Sequence, residues 1–164
     1  MKIHITGNAG SGKTTLAKKI SNEFDLPLFG LDKVVWRTGW EQTSPDTRNI
    51  LEKQLISKPS WVIEGVSKQV RHAADITIFL YVPRYKCFAR TLRRNLPYLF
   101  KSRPELPEKC PEYKILPHLF KIIWNFPDRV RPSIIREIEC GCNILHLGDS
   151  VEYNSTKLKS RVIN

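Results

Sequence analysis

At 164 residues the chain is long enough for one compact domain with a core of its own and too short for two ordinary ones. Its 41% hydrophobic and 10% aromatic residues fit a globular protein and exclude a largely disordered chain. With 27 basic against 16 acidic residues the formal net charge is +11, a balance that favours anionic partners: nucleotides, phosphorylated substrates or nucleic acid.

Lys2 to Thr6 alternates and is β-branched, as a strand does, and Gly7 to Gly12 breaks the pattern. Leu16, Ala17, Ile20 and Phe24 then recur at helical spacing and predict a helix to Phe24. Residues 27–31 predict a short strand and 45–57 a second helix, with Ile50, Leu51, Leu55 and Ile56 on or near one face. Residues 61–64 and 76–82 are near-continuous apolar runs, the pattern of strands covered on both sides in a parallel sheet. A basic helix is predicted from Arg84 to about Lys101, followed by a proline-punctuated stretch to Pro111. Helical segments around 113–125 and 127–140 and a fifth strand at 143–147 complete the chain, with Gly141 as the stop of the last helix.

Strands alternating with helices imply right-handed βαβ units. The expected architecture is one three-layer α/β domain over 1–164 with a mostly parallel five-stranded sheet and ligands at the carboxyl edge of its strands. The longest apolar run, Ile76 to Val82, is far too short to span a membrane, and the strand pattern begins too early for a cleavable leader, so no membrane partner and a cytoplasmic location are expected. Cys87, Cys110, Cys140 and Cys142 form no CxxC pair and are expected to be reduced thiols.

The residues Gly7-Asn8-Ala9-Gly10-Ser11-Gly12-Lys13-Thr14 match GxxxxGK[ST] and sit between a predicted strand and helix, where a phosphate-binding loop works. Successive backbone N–H groups can line an anion there, and the helix adds its positive end. Lys13 would meet the β- and γ-phosphates of ATP, Thr14 would place a hydroxyl on Mg²⁺, and Thr15 is positioned for the α-phosphate.

Asp32 follows the second strand and Glu64 ends the third, so both project toward the loop if the sheet is parallel. Glu64, in Trp61-Val62-Ile63-Glu64-Gly65, has the form of an acid that orients a magnesium-bound water; Asp32 would orient or deprotonate an acceptor hydroxyl. Asp75 precedes the fourth strand and belongs at the opposite edge, in a structural or solvated role. His4, inside the first strand, reads as a packed histidine.

Arg90, Arg93 and Arg94 stand three and four apart on one predicted helix, and guanidinium groups suit bidentate phosphate contacts; Arg90 and Arg94 are the candidates for stabilising transfer. Residues 95–112, rich in proline and charge, predict a small lid that excludes water on closing. Arg129 and Arg131 are expected to reach the phosphates from the other side. Trp36, Arg37 and Trp40 either wall an acceptor in the segment 33–57 or, for the two tryptophans, belong to the core.

The phosphate loop, Leu31-Asp32 with Trp36 and Trp40, the Trp61 to Gly65 strand end, the strand ending in Pro83, Arg90 to Arg94 and Trp124 to Pro132 together resemble the adenylate-kinase-like branch of P-loop kinases. Within it the chain is most similar to the small bacterial topology-modulation (FlaR-related) proteins. The resemblance implies a kinase-like fold with a mobile lid and no particular acceptor. The expected activity is transfer of the γ-phosphoryl group of Mg-ATP to a small molecule. A regulator that uses ATP as a switch and binds nucleic acid without sequence preference, in keeping with an effect on DNA topology, and an NTPase that needs no acceptor, are the alternatives.

Overall fold

The computed structural model describes residues 1–37, 40–98, 112–148 and 153–154. Most of the expected lid, residues 99–111, lies outside them, as does Cys110.

Strand β1 (Lys2–Gly7) buries Ile3 and Ile5 on one face and His4 and Thr6 on the other, which marks a central strand. It pairs in parallel with β5 (Trp61–Glu64) and β6 (Ile76–Leu80); β2 (Leu28–Gly30) adds beyond β5, and β7 (Ile144–Leu147) beyond β6. The five strands are all parallel, in the order β2-β5-β1-β6-β7, so the fold is the expected α/β architecture. A second, two-stranded antiparallel piece, β3 (Trp36–Arg37) with β4 (Glu41–Gln42), was not expected from the sequence.

Helix α1 (Lys13–Phe24) lays Leu16, Ala17 and Ile20 on Ile3, Ile5, Ile76, Ile78 and Leu80. Each fully buried side chain of this size is worth about 1.5–3 kcal/mol of transfer free energy, so this seam fixes the helix whose first turn carries the phosphate loop. On the other face of the sheet Phe79 packs with Phe126 and Ile134, and Trp61 and Ile63 pack with Leu31 and Val70.

Helix α2 (Asp32–Val35) and α3 (Pro45–Ile56) follow β2. Of the apolar face predicted for α3, Leu55 and Ile56 pack on the core, but Ile50 is 57% exposed and Glu52 is buried. Glu52 accepts hydrogen bonds from Arg48 Nε at 2.8 Å and from Ser67 Oγ at 2.6 Å, and this compensation offsets the cost of burying a carboxylate. Ser67 also caps α4 (Lys68–Ala73), accepting from the Val70 N–H.

Helix α5 (Arg84–Asn95) ends earlier than predicted and passes into one 3₁₀ turn at Leu96–Tyr98. Helix α6 (Glu112–Arg129) is continuous through Pro127, where two segments were expected, and the break falls at Val130 before α7 (Arg131–Glu139). Packing decides this: buried Phe126 is anchored on Phe79, 6.5 Å between ring centroids. Arg71 of α4 is bonded through both Nε and Nη2 to Glu137 of α7, tying these helices together under the sheet.

Candidate active site

The loop from Gly7 to Thr14 leaves the carboxyl end of β1 and turns into α1, so its position is set by a strand and a helix that are both packed into the core. Asn8 is 3% exposed and joins the loop to α6: its Nδ2 donates to the Ile123 carbonyl at 3.0 Å, and its Oδ1 accepts from the Ala9 N–H at 2.8 Å. Gly10 has φ +76° and rests on α5, where a Cβ would lie 2.4 Å from the Cys87 carbonyl oxygen and 2.6 Å from Thr91 Oγ1. Only glycine satisfies both the dihedral and the contact.

Lys13 Nζ donates to the Asn8 carbonyl at 2.8 Å and so lies over the loop. Burial pushes its pKa below the usual lysine value, opposed by the charges of Glu64 and Asp32. Thr14 Oγ1 donates to Glu64 Oε1 at 3.0 Å, which joins the start of α1 to the end of β5. Burial holds the Glu64 carboxyl above the usual carboxylate range, with Lys13 pulling the other way and Asp32 reinforcing the rise. Two oppositely charged groups in one desolvated place, each pushed toward neutrality, are the mark of a site built to receive further charge.

These side chains open onto one cleft of about 830 Å³, a volume suited to a nucleotide-sized ligand. Gly10, Gly12, Lys13, Thr14 and Thr15 line it on the loop side, Asp32 and Glu64 on the strand side, and Arg90 and Arg94 from α5. Arg90 and Arg94 therefore share the face turned to the loop, while Arg93, exposed on the same helix, does not line the cleft. Asp32 is exposed at the start of α2. Lys18 and Lys33 also line the cleft and were not singled out in the sequence; Lys18, one helical turn after Thr14 on α1, was legible as a continuation of that helix face.

Several expectations fall elsewhere. Arg131 donates to the Tyr81 hydroxyl at 3.2 Å with its guanidinium 4.2 Å from that ring, and Arg129 lines a separate cleft, so neither lines the phosphate cleft. Trp36 and Trp40 are half-buried and pack edge to face at 5.3 Å, with Trp36 also 6.2 Å from His118 of α6. The hairpin thus rests on α6, and neither tryptophan lines the phosphate cleft. His4 is fully buried, its Nε2 3.1 Å from the Gly65 carbonyl and its pKa pushed down to about 3 chiefly by burial, as a packed neutral histidine. Asp75 accepts from the Lys2 N–H at 2.7 Å at the amino edge of the sheet.

Comparison with solved structures finds the same architecture. A shikimate kinase from Bacteroides thetaiotaomicron superimposes with a TM-score of 0.60 at 16% identity, covering 99% of this chain and 94% of that one. The chain has the fold of the P-loop kinases. Among other kinases with this fold, a shikimate kinase from Acinetobacter baumannii in complex with shikimate gives a TM-score of 0.53 at 20% identity over 99% and 90% of the two chains. A gluconokinase from Sinorhizobium meliloti gives 0.51 at 13% over 98% and 88%. In sequence, the bifunctional shikimate kinase/3-dehydroquinate synthase of Thermotoga maritima is 24% identical over 126 residues, 66% of this chain. The chain spans about a quarter of that relative's length, 26%. No protein-family profile matches the chain. Among the described residues no helix is long and apolar enough to cross a membrane.

Proposed function

We propose that the chain is an ATP-dependent phosphotransferase that moves the γ-phosphoryl group of Mg-ATP to a hydroxyl of a small-molecule acceptor. The observation that carries this reading is the meeting of Lys13, Thr14, Asp32, Glu64, Arg90 and Arg94, drawn from α1, α2, β5 and α5, on one cleft at the carboxyl edge of the sheet. The kinase neighbours in fold support it. Within the adenylate-kinase-like kinases we assign the chain to the topology-modulation branch on its tryptophan and arginine pattern, and we place it in the cytoplasm with its ATP supply.

In this reading Lys13 leaves the Asn8 carbonyl for the β- and γ-phosphates, while backbone N–H groups of the loop hold the rest of the triphosphate. Thr14 and Glu64 present hard oxygens 3.0 Å apart, a pair that fits magnesium with phosphate and water oxygens completing its shell, Glu64 acting through water. Among the described residues no group of three or more His, Cys, Asp or Glu could form a cage for a metal, which agrees with an ion held mainly by its nucleotide. Bound there, magnesium would neutralise charge on the β- and γ-phosphate oxygens. Asp32 accepts the proton of the acceptor hydroxyl as its oxygen bonds to the γ-phosphorus and the bond from that phosphorus to the β-phosphate oxygen breaks, releasing ADP, and Arg90 and Arg94 stabilise the charge gathering on the transferred group.

The test is an ATP-consumption screen against nucleosides, nucleoside monophosphates, small alcohols, hydroxy acids and duplex DNA, with Lys13→Ala alongside. Turnover that depends on a small acceptor and falls to background in a folded Lys13→Ala protein is expected. Full turnover in that variant would remove the reading. Turnover indifferent to every acceptor would replace it with an NTPase, and strong stimulation by DNA with a nucleic-acid regulator.

A further inference from the structure

Helices α5 and α6 lie side by side and run antiparallel: Arg84 at the start of α5 meets Trp124 and Asp128 near the end of α6, and Phe88, one turn on, meets Phe120. The Phe88 and Phe120 rings close edge to face at 5.3 Å and fill the seam between the helices. Beside that seam stand Tyr85, Leu92 and Leu96 of α5 and the turn after it, and Trp124 of α6, exposed by 70%, 46%, 54% and 59%. At about 100° per residue, positions 85, 92 and 96 fall within about 40° of one another, on the side of α5 next to Phe88. Trp124 adjoins the same seam from α6, through Arg84. The two helices therefore share one apolar band that faces solvent.

The borders of this band are cationic. Lys86 and Arg93 lie about 80–100° round α5 from the stripe, on the side away from α6, and Lys114 and Lys121 lie on the side of α6 away from α5. All four are exposed, and none pairs with an acid among the described residues. Helix α5 has no acid; α6 has Glu112 and Asp128 near its two ends, and Asp128 is bonded to Arg84 at 3.0 Å. Arg90 and Arg94 line the phosphate cleft, so the face is separate from the residues assigned to phosphoryl transfer.

A contiguous exposed apolar patch with a polar rim marks an interaction surface, and its charge and shape choose the occupant. Positive charge on both borders repels the same face of a second copy. The filled seam leaves no groove in which a partner helix could lay its apolar side. Protruding leucines between a tyrosine and a tryptophan, rimmed by lysine and arginine, suit the boundary of a bilayer: the apolar groups enter it, the aromatic rings settle at headgroup level, and the cations meet anionic headgroups.

We propose that the outer face of α5 and α6 is a docking surface for an anionic lipid bilayer, on which the protein rests with no segment crossing it. The proposal is independent of the kinase reading. It asks for no spanning helix, and none is present among the described residues. The contact is reversible and weakens with salt, since it combines a few inserted side chains with charges that are screened beyond about 8–10 Å.

The experiment cosediments the full chain with vesicles of phosphatidylcholine alone or mixed in equal parts with phosphatidylglycerol. The parent is compared with Leu92→Gln/Leu96→Gln and with Lys86→Gln/Arg93→Gln/Lys121→Gln. The substituted positions are exposed and none lines the phosphate cleft, so both variants should fold and keep the parent's affinity for an ATP analogue. The parent should bind the mixed vesicles at least about tenfold more tightly than the neutral ones, and each variant should lose about tenfold of that binding. Tryptophan emission should shift to the blue on the mixed vesicles, and Trp124→Phe should remove most of the shift. Equal binding to the two vesicle types overturns the proposal. So does parent-like binding by the leucine variant, which would mean mere adsorption of a basic protein, and so does a blue shift that survives in Trp124→Phe. Sedimentation velocity without lipid supplies a further arm: a dimer abolished by the leucine substitutions would assign the face to a second copy instead. Tight binding of a glutamate-flanked leucine helix peptide, with no binding to vesicles, would assign it to an acidic protein partner.

Discussion

Replacing Gly10 by alanine separates two costs that the phosphate loop imposes on its sequence. The backbone there is at φ +76°, which costs an L-residue about 1–2 kcal/mol. The new Cβ would also sit 2.4 Å from the Cys87 carbonyl oxygen, where carbon to oxygen contacts ordinarily begin at about 3.3 Å, so α5 or the loop must yield by nearly 1 Å. Displacement of that kind in packed structure costs about 1–3 kcal/mol more, for a total of about 2–5 kcal/mol. For a domain of this size that is a fall in melting temperature of about 4–20 °C. Gly141, which follows α7, supplies the control: its φ is +81°, but nothing lies within 4 Å of the place a Cβ would take, so Gly141→Ala should lose only the dihedral part, about 2–8 °C. Thermal melts followed by circular dichroism, together with binding of a fluorescent ATP analogue, measure both. Gly10→Ala should melt lower than Gly141→Ala and bind nucleotide more weakly. Equal melting temperatures would refute the contact between loop and α5 as the reason for glycine at this position.

Glu64→Gln should reduce turnover far more than ATP affinity, because Gln keeps an oxygen for Thr14 but not the charge. The same variant should be more stable than the parent at pH 7–8 without nucleotide: a raised carboxyl pKa means that the folded state holds the proton longer than the unfolded chain, so parent stability falls as pH rises from the unfolded value through the folded one. Melts from pH 4 to 8 check it, and an advantage that does not shrink at the acid end would count against the burial argument. Asp32→Asn should lower acceptor-dependent turnover while leaving nucleotide binding intact; unaltered turnover removes its assigned role. Replacing Arg90 and Arg94 by lysine keeps the charge and loses the planar fork, so steady-state turnover should fall roughly tenfold or more, and rates equal to the parent would mean that these side chains form only a solvated basic face.

The parts of this molecule that sequence reveals are those whose causes are local. The phosphate loop is contiguous, and the strands 61–64 and 76–82 announce themselves because both faces are covered and every residue is apolar or nearly so. Asp32 and Glu64 could be placed because a parallel sheet sends the ends of β2 and β5 to the same edge, a register in which Gly30 pairs with Glu64. What stayed hidden depends on partners far along the chain. Glu52 looks like a surface residue until Ser67, 15 residues on, supplies its second hydrogen bond, and Ile50, grouped by periodicity with Leu55 and Ile56, is exposed while those two pack on the core. The helix α4 is six residues of mostly polar sequence, held by a serine cap and by the burial of Val70 and Arg71. Pro127 argued for a break in α6 that the seating of Phe126 overrides.

The net charge of +11 now has a location. Five lysines and arginines line the phosphate cleft against two carboxylates, so part of the excess lies on one concave surface. A duplex would need that charge on a convex face or a long stripe, with spacing set by its phosphates. Concave walls with low-dielectric surroundings instead focus the field on small anions and raise their local concentration. Lys13 and Glu64 are both held away from their ordinary ionisation chiefly by burial, which the charge of each offsets in the other only in part. A triphosphate entering with its metal would give Lys13 its anion and Glu64 its cation at once. In the proposed reading, restoring both charges would favour one orientation of the bound nucleotide, with its γ-phosphate toward Asp32.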